Sequence, residues 1–470
     1  MDRAFWLVLL AAPLLGATYP LDFESPADAA LWRASSGPMA LDNQRSRHGG
    51  QSLHWRWSQA GATLTLADPG VLAEWAKLGE KDFAAASFGL WLRWPEPTRE
   101  VLRVEFVAGD QVVGRGWWGL GYRGWRPLLA PLARFGLARG VKVDAVRLSP
   151  PGAVGELWVD WVQPSSKQVP ERNPQHPWMA NDQLPLTDPL ARPDDWREVR
   201  LSRDDLASGR PWLPARVTPP ADDLARLTQR LATAPIVPAR GRGLAPGVLD
   251  GLTEAVRRQW VIAADGSLRG PGTRASTLLA PADGLSTADY LPLLGRFRDA
   301  AAKASAAEWP QVKALLTDLV AYTVDQGMAF GSAFAEPFGP YGLRNHLANF
   351  RDLRGCLDDP ALRREFVLQG VQLLIPGQDD PSRSLLGPRP YGDTDWLHGY
   401  HNYLPQMIAC LDDPADRWQF WGAYTWCMDT ITLSPDLTEP DGGMYHHGMV
   451  HYGYSGYSFP GLVSALAPFR

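Results

Sequence analysis

The hydrophobic period of this chain changes once, and the change divides it in two. From Tyr19 to about Pro164 apolar and polar residues alternate with period two. Examples are Ser52-Leu53-His54-Trp55-Arg56-Trp57, Ala62-Thr63-Leu64-Thr65-Leu66 and Phe88-Gly89-Leu90-Trp91-Leu92-Arg93-Trp94. Others are Val101–Val107, Ala145–Leu148 and Glu156–Val162. Alternation of this kind marks strands with one buried face. Gly49-Gly50, Gly109-Asp110 and Pro150-Pro151-Gly152 separate the runs. Many short strands with regular turns predict an antiparallel β-sandwich over 18–165. Residues 166–220 hold recurrent prolines (Pro170, Pro174, Pro177, Pro185, Pro189, Pro193) and no sustained period, as in a surface linker. From Ala221 the period is helical. Asp223–Leu231 starts it, and further helices are predicted near 247–262, 288–308, 309–327, 343–357, 360–374, 396–412 and 415–431. Asp222 and Asp223 in a first turn and Pro310 just inside a start are helix-initiation signals. The expected class is therefore multidomain β + α.

Composition narrows the function. Of 470 residues, 21 are Trp, 45 Gly and 42 Pro. So many Gly and Pro mean turns and long connections. The tryptophans serve either as core packing or as flat platforms for sugar rings. The net charge is −5, which disfavours a mainly electrostatic nucleic-acid binder. Residues 1–17 read as a secretory signal: Arg3, an apolar stretch from Ala4 to Leu15, then Leu15-Gly16-Ala17 as a cleavage site. That stretch is short for a transmembrane helix, so a secreted or periplasmic chain without a membrane partner is expected. Cys356, Cys410 and Cys427 form no CxxC motif. Cys410 and Cys427 lie on neighbouring predicted helices, so one disulfide or buried free thiols are both open, with free thiols favoured.

The segment richest in chemistry runs from Asp441 to Pro460 and holds His446, His447, His451, Tyr445, Tyr452, Tyr454 and Tyr457. Its residue types allow a histidine metal site, proton transfer by a His and a Tyr, or plain aromatic packing. His447 and His451 would share a face of a helix, but Gly448 and its neighbours disfavour one and no HExxH is present.

Several blocks resemble the chondroitin sulfate ABC lyases of polysaccharide lyase family 8, over their N-terminal half. They are Ser46–Trp57, Gly124-Trp125-Arg126, Val143–Leu148, Gly155–Asp160, Asp325-Gln326-Gly327 with Gly331-Ser332-Ala333, and Pro440-Asp441-Gly442 with His447 and Gly456-Tyr457-Ser458-Phe459-Pro460. The resemblance implies a jelly-roll, galactose-binding-like sandwich followed by an α/α toroid over 221–470. It also implies a carbon–oxygen lyase that cuts uronic-acid-containing glycosaminoglycans by β-elimination. In that reaction a proton leaves C5 of the uronate, the C4–O bond breaks, and an unsaturated sugar remains. The carboxylate must be polarised, a base must take the proton, and an acid must reach the leaving oxygen. Tyrosine suits either task once nearby positive charge lowers its pKa.

By position the resemblance implies His447 as the catalytic histidine, for proton abstraction or carboxylate contact, and Tyr457 as the proton-transfer tyrosine. The His-to-Tyr segment is longer than in the best-known members, so His451 and Tyr454 stand as alternatives. Tyr341, Arg344 and Asn345 fall where the family contacts substrate. The family's paired histidines there are replaced by the neighbourhood of Glu336, Pro337 and Phe338. His398, His401 and Asn402 fall near the same mouth, with Asn402 a donor to the uronate carboxylate; helix capping or packing competes for that group. No cofactor is implied, and a structural divalent cation is left open. The expected partner is a glycosaminoglycan polysaccharide, and a monomer is expected. Family members continue well past the tyrosine loop. The toroid is therefore expected to be truncated at Arg470, with little activity in the piece alone.

Overall fold

The computed structural model describes residues 20–67, 86–165 except Arg99, 241–257, 287–325, 348–374 and 404–417 except Ala415, with short pieces at 75, 77–79, 225–226, 229, 261–262 and 268–269. The signal segment and the proline-rich 166–220 fall outside these residues.

Ten strands make the N-terminal part. They are β1 (Trp32–Ala34), β2 (Met39–Asp42), β3 (Ser52–Trp57), β4 (Leu64–Ala67), β5 (Ser87–Trp94), β6 (Val101–Ala108), β7 (Gln111–Gly119), β8 (Gly124–Pro131), β9 (Ala145–Ser149) and β10 (Gly155–Ser165). A short helix, α1 (Pro26–Ala30), precedes them, with Ser25 Oγ accepting from Ala27 N at its start. One sheet has the order β1-β4-β9-β6-β7 and the other β2-β3-β10-β5-β8. All their pairings are antiparallel. The expected sandwich is present, with the two sheets closing over one apolar layer. Trp32, Leu64, Leu66, Val104, Phe106, Trp118 and Leu148 of the first sheet meet Leu53, Trp55, Trp57, Phe88, Leu90, Leu92 and Leu157 of the second. Period two explains the choice, since each of these residues alternates with an outward one.

Two strands escape a simple period reading. In β7 the inward positions Gly114 and Gly116 carry no side chain, and Phe135 and Leu137 fill the space a Cβ would take. In β8 two prolines interrupt the pattern, yet β8 is an edge strand, where a missing N–H costs little.

The second part is helical. Its described elements are α2 (Val248–Arg257), α3 (Thr287–Lys303), α4 (Trp309–Asp325), a helical stretch over 348–353 ending in the 3-10 turn Arg354–Cys356, α5 (Pro360–Leu374) and α6 (Leu404–Ala409). The helix expected near 247–262 ends at Arg257. The β-branched pair Val261-Ile262 instead forms β11, paired with β12 (Leu268-Arg269). Packing joins α4 to α3 and α5, and α5 to α6. A buried polar triangle crosses this core. Tyr290 Oη of α3 donates to Gln369 Oε1 of α5 at 2.9 Å, and Gln369 Nε2 donates to Thr323 Oγ1 of α4 at 3.1 Å. Such bonds fix which helix faces meet. Cys356 and Cys410 are buried free thiols; Cys427 lies outside the described residues. No described helix is long and apolar enough to cross a membrane.

Candidate functional site

His447, Tyr457, His451, Tyr454, Tyr341, Arg344, Asn345, His398, His401 and Asn402 all lie outside the described residues. The described residues end at Arg417, before the 441–460 segment, and flank only the other two groups. Helix α4 ends at Asp325, before the 341–345 group, and α6 begins at Leu404, after the 398–402 group. Among the described residues no cluster of three His, Cys, Asp or Glu side chains is placed to hold a metal.

The described tyrosines are poorly suited to act as bases. Burial pushes the Tyr322 phenol up to about 12, against the pull of Arg47. Burial likewise raises Tyr122 and Tyr290. A phenol held up in this way stays protonated and is a poor base.

The outer faces of the two sheets have different fates. That of the second sheet leaves Arg56 of β3 63% exposed and meets the helical part along β5 and β8. Trp91 and Trp125 are buried there, outside the inter-sheet core. Arg93 of β5 donates from Nε to Asp325 Oδ1, at the end of α4, at 2.9 Å. Arg126 of β8 donates from Nη2 to Glu365 Oε2 of α5 at 2.7 Å, with both side chains 1% exposed. Burial lowers the Arg126 pKa to about 10 against the pull of Glu365, so the guanidinium stays charged at neutral pH. Beside it Arg364 forks onto Asp416 at 2.5 and 3.0 Å and donates to the Gly121 carbonyl at 2.9 Å.

Along the same sheet Arg47 lies 4.1 Å over the Trp91 ring, and Arg45 and Arg93 lie over Trp158. His54 stacks on Trp158 at 4.3 Å with the planes 4° apart, and its Nε2 is 3.0 Å from Glu156 Oε2. Burial lowers the His54 pKa, against the pull of Glu156. Asp160 accepts from the backbone N–H groups of Arg47, His48 and Trp161. Burial raises its carboxyl despite those donors. These bonds hold a bulge in β10, at which Trp161 takes φ +45°.

The outer face of the first sheet carries a different set. Glu105 of β6 is almost fully buried beneath three guanidinium groups. Arg115 of β7 donates to its Oε1 at 3.0 Å and Arg147 of β9 to its Oε2 at 3.3 Å. Arg103 stands 3.6 Å from Oε1 and donates to Ser149 Oγ at 3.4 Å. Directly opposite Arg103 in the β6–β7 register is Trp117, 38% exposed. Sequence reasoning placed β6 and β9 but did not single out these residues. The available signal was the outward parity of Arg103, Glu105 and Arg147 in the predicted strands.

No curated protein matches the chain. Among solved structures, the C-terminal family 22 carbohydrate-binding module of Clostridium thermocellum Xyn10B is similar over 32% of this chain and 93% of that one. The identity is 16% and the TM-score 0.22. TmCBM61, solved with β-1,4-galactotriose, is similar over 28% of this chain and 88% of that one, at 10% identity and TM-score 0.18. A family model described as "Lyase, N terminal" matches residues 19–177. The stretch that builds the two-sheet sandwich is therefore a lyase N-terminal region, as the sequence resemblance implied.

Proposed function

We propose that this chain is an exported polysaccharide lyase that cuts chondroitin- or dermatan-sulfate-type glycosaminoglycans by β-elimination. The observation that carries this reading is the lyase N-terminal match over residues 19–177. The sequence blocks around His447 and Tyr457 add the chemistry. In this reading His447 contacts the uronate carboxylate or takes the C5 proton, and Tyr457 delivers a proton to the leaving O4. His451 and Tyr454 are the alternatives for the same two roles. Tyr341, Arg344, Asn345, His398, His401 and Asn402 bind the sugar acid, with Arg344 suited to a bidentate grip on a carboxylate or sulfate. The elimination needs no redox partner, because the electrons of the C5–H bond become the C4–C5 double bond as the C4–O bond breaks.

Incubating the purified chain with chondroitin sulfate and following absorbance in the ultraviolet, where the conjugated unsaturated uronate absorbs, tests the reading. A rise is expected. Tyr457→Phe is expected to lower it by a factor of about 100 or more, since general acid–base groups contribute on that order. Unchanged turnover in the variant would remove Tyr457 from the mechanism. No rise with wild type, alongside retained binding to a chondroitin column, would favour a glycan-binding chain without catalysis.

A further inference from the structure

We propose that the outer face of the β1-β4-β9-β6-β7 sheet is a binding strip for an acidic polysaccharide. Arg33, Thr65, Arg147, Glu105 and Arg115 are successive register partners across the five strands, so they form one row on one face. Adjacent strands lie about 4.8 Å apart, so the row spans roughly 19 Å. Arg103, Ser149 and Trp117 form the next row. Three guanidinium groups share one carboxylate, which leaves a surplus of two positive charges. Arg33 is exposed at the end of the row.

The hydrogen-bond count points the same way. Each guanidinium has five N–H donors in a fork that fits carboxylate and sulfate oxygens. Glu105 offers two oxygens, both already engaged by Arg115 and Arg147. Arg103, whose side chain is 47% exposed, reaches Ser149 only at 3.4 Å. Most of its donors therefore face solvent. Glu105 holds the guanidinium groups in place while failing to neutralise them. Trp117 beside Arg103 adds a flat apolar surface for a sugar ring, next to a cation for that ring's acid group.

The occupant is an anionic glycan, because charge and aromatic face occur together. A neutral glycan would use the aromatic surface alone. Geometry carries this inference independently of the lyase chemistry.

The test measures chondroitin sulfate binding to the full chain by calorimetry, with lyase turnover recorded on the same samples. Arg103→Gln and Trp117→Ala are the test variants. Neither removes a hydrogen bond from Glu105, and thermal melts check that each is folded. Arg56→Gln, on the other sheet, removes a more exposed charge (63% against 47% for Arg103) as a control. Each test variant is expected to raise Kd about tenfold, through one lost charge-assisted contact for Arg103→Gln and one lost aromatic–sugar contact for Trp117→Ala, with the control unchanged. Wild-type affinity is expected to fall as salt rises. Wild-type affinity in both test variants, equal weakening by Arg56→Gln, or equal affinity for a neutral galactan or a DNA oligonucleotide would overturn the proposal. Should Trp117→Ala fail to fold, Arg103→Gln alone decides. Strip-dependent binding without turnover sinks the lyase reading and leaves the strip standing. Turnover with strip-independent binding does the reverse.

Discussion

Gly124 opens β8 with φ +84°, and a side chain there would collide with the Val324 carbonyl and with Asp325 at the end of α4. The residue thus serves both the turn and the contact between sandwich and helices. Gly136 has a similar φ of +71° but open space around it. Gly136→Ala is expected to cost about 1 kcal/mol from backbone strain, and Gly124→Ala at least about 2 kcal/mol, because the helix must also shift. Urea melts of the two variants check this, and the difference measures the contact. The tryptophans also divide by position. Trp32, Trp55, Trp57, Trp75, Trp94 and Trp118 fill the inter-sheet core, Trp91 and Trp125 are buried outside it, and Trp117 faces solvent. Their abundance was legible in the sequence and so was the outward parity of some. Which outward ones stay exposed was not, because burial of an outer face depends on residues far along the chain.

At the scale of elements, strands and helices with clean periods were legible, and the exceptions have local causes. The strands β1 and β2 are too short for alternation to show, and β7 hides its period behind inward glycines. A carboxylate cap precedes helix α4. Ser305 donates from both N and Oγ to Glu308 Oε2 at 2.9 and 2.7 Å, and Leu244 N donates to the same carboxylate. These bonds to Ser305 hold the Glu308 carboxyl below its usual value. A carboxyl lowered in the folded state stabilises fully above its unfolded pKa, and that stabilisation is lost as pH falls through the folded one. Glu308→Gln is therefore expected to lower Tm at neutral pH and to flatten the fall in Tm below about pH 4.5, the ordinary range of a glutamate. Melts from pH 7 to pH 3 check both. Parallel curves for the two proteins would exclude the cap as an acid-sensitive element.

For the whole molecule the decisive contact is the ion pair between Arg126 and Glu365, 239 residues apart in sequence. Both partners are out of water, so loss of one strands a charge. Arg126→Met is expected to cost about 3–5 kcal/mol, whereas Arg126→Met with Glu365→Leu should recover most of it. Chemical denaturation of the singles and the double checks this. A double variant as unstable as the single would mean that the pair is not what joins the two parts. That junction runs along the β8 edge of the β2-β3-β10-β5-β8 sheet and its outward Arg93, while Arg103 and Trp117 on the opposite sheet stay exposed. The candidate catalytic residues His447 and Tyr457 were legible only through the resemblance of the blocks around them, since His, Tyr and Gly there have no period to read.

The sequence by itself determined that a period-two sandwich precedes a helical part, which turns join the strands, and that the sandwich resembles a lyase N-terminal domain. Those properties are local, because alternation and turn chemistry act within a few residues. Tertiary structure alone decided which sheet meets the helices, that Arg126 pairs with Glu365, and that Arg103, Arg115 and Arg147 gather over Glu105. These depend on strand order and on packing between distant segments, and no local period records either.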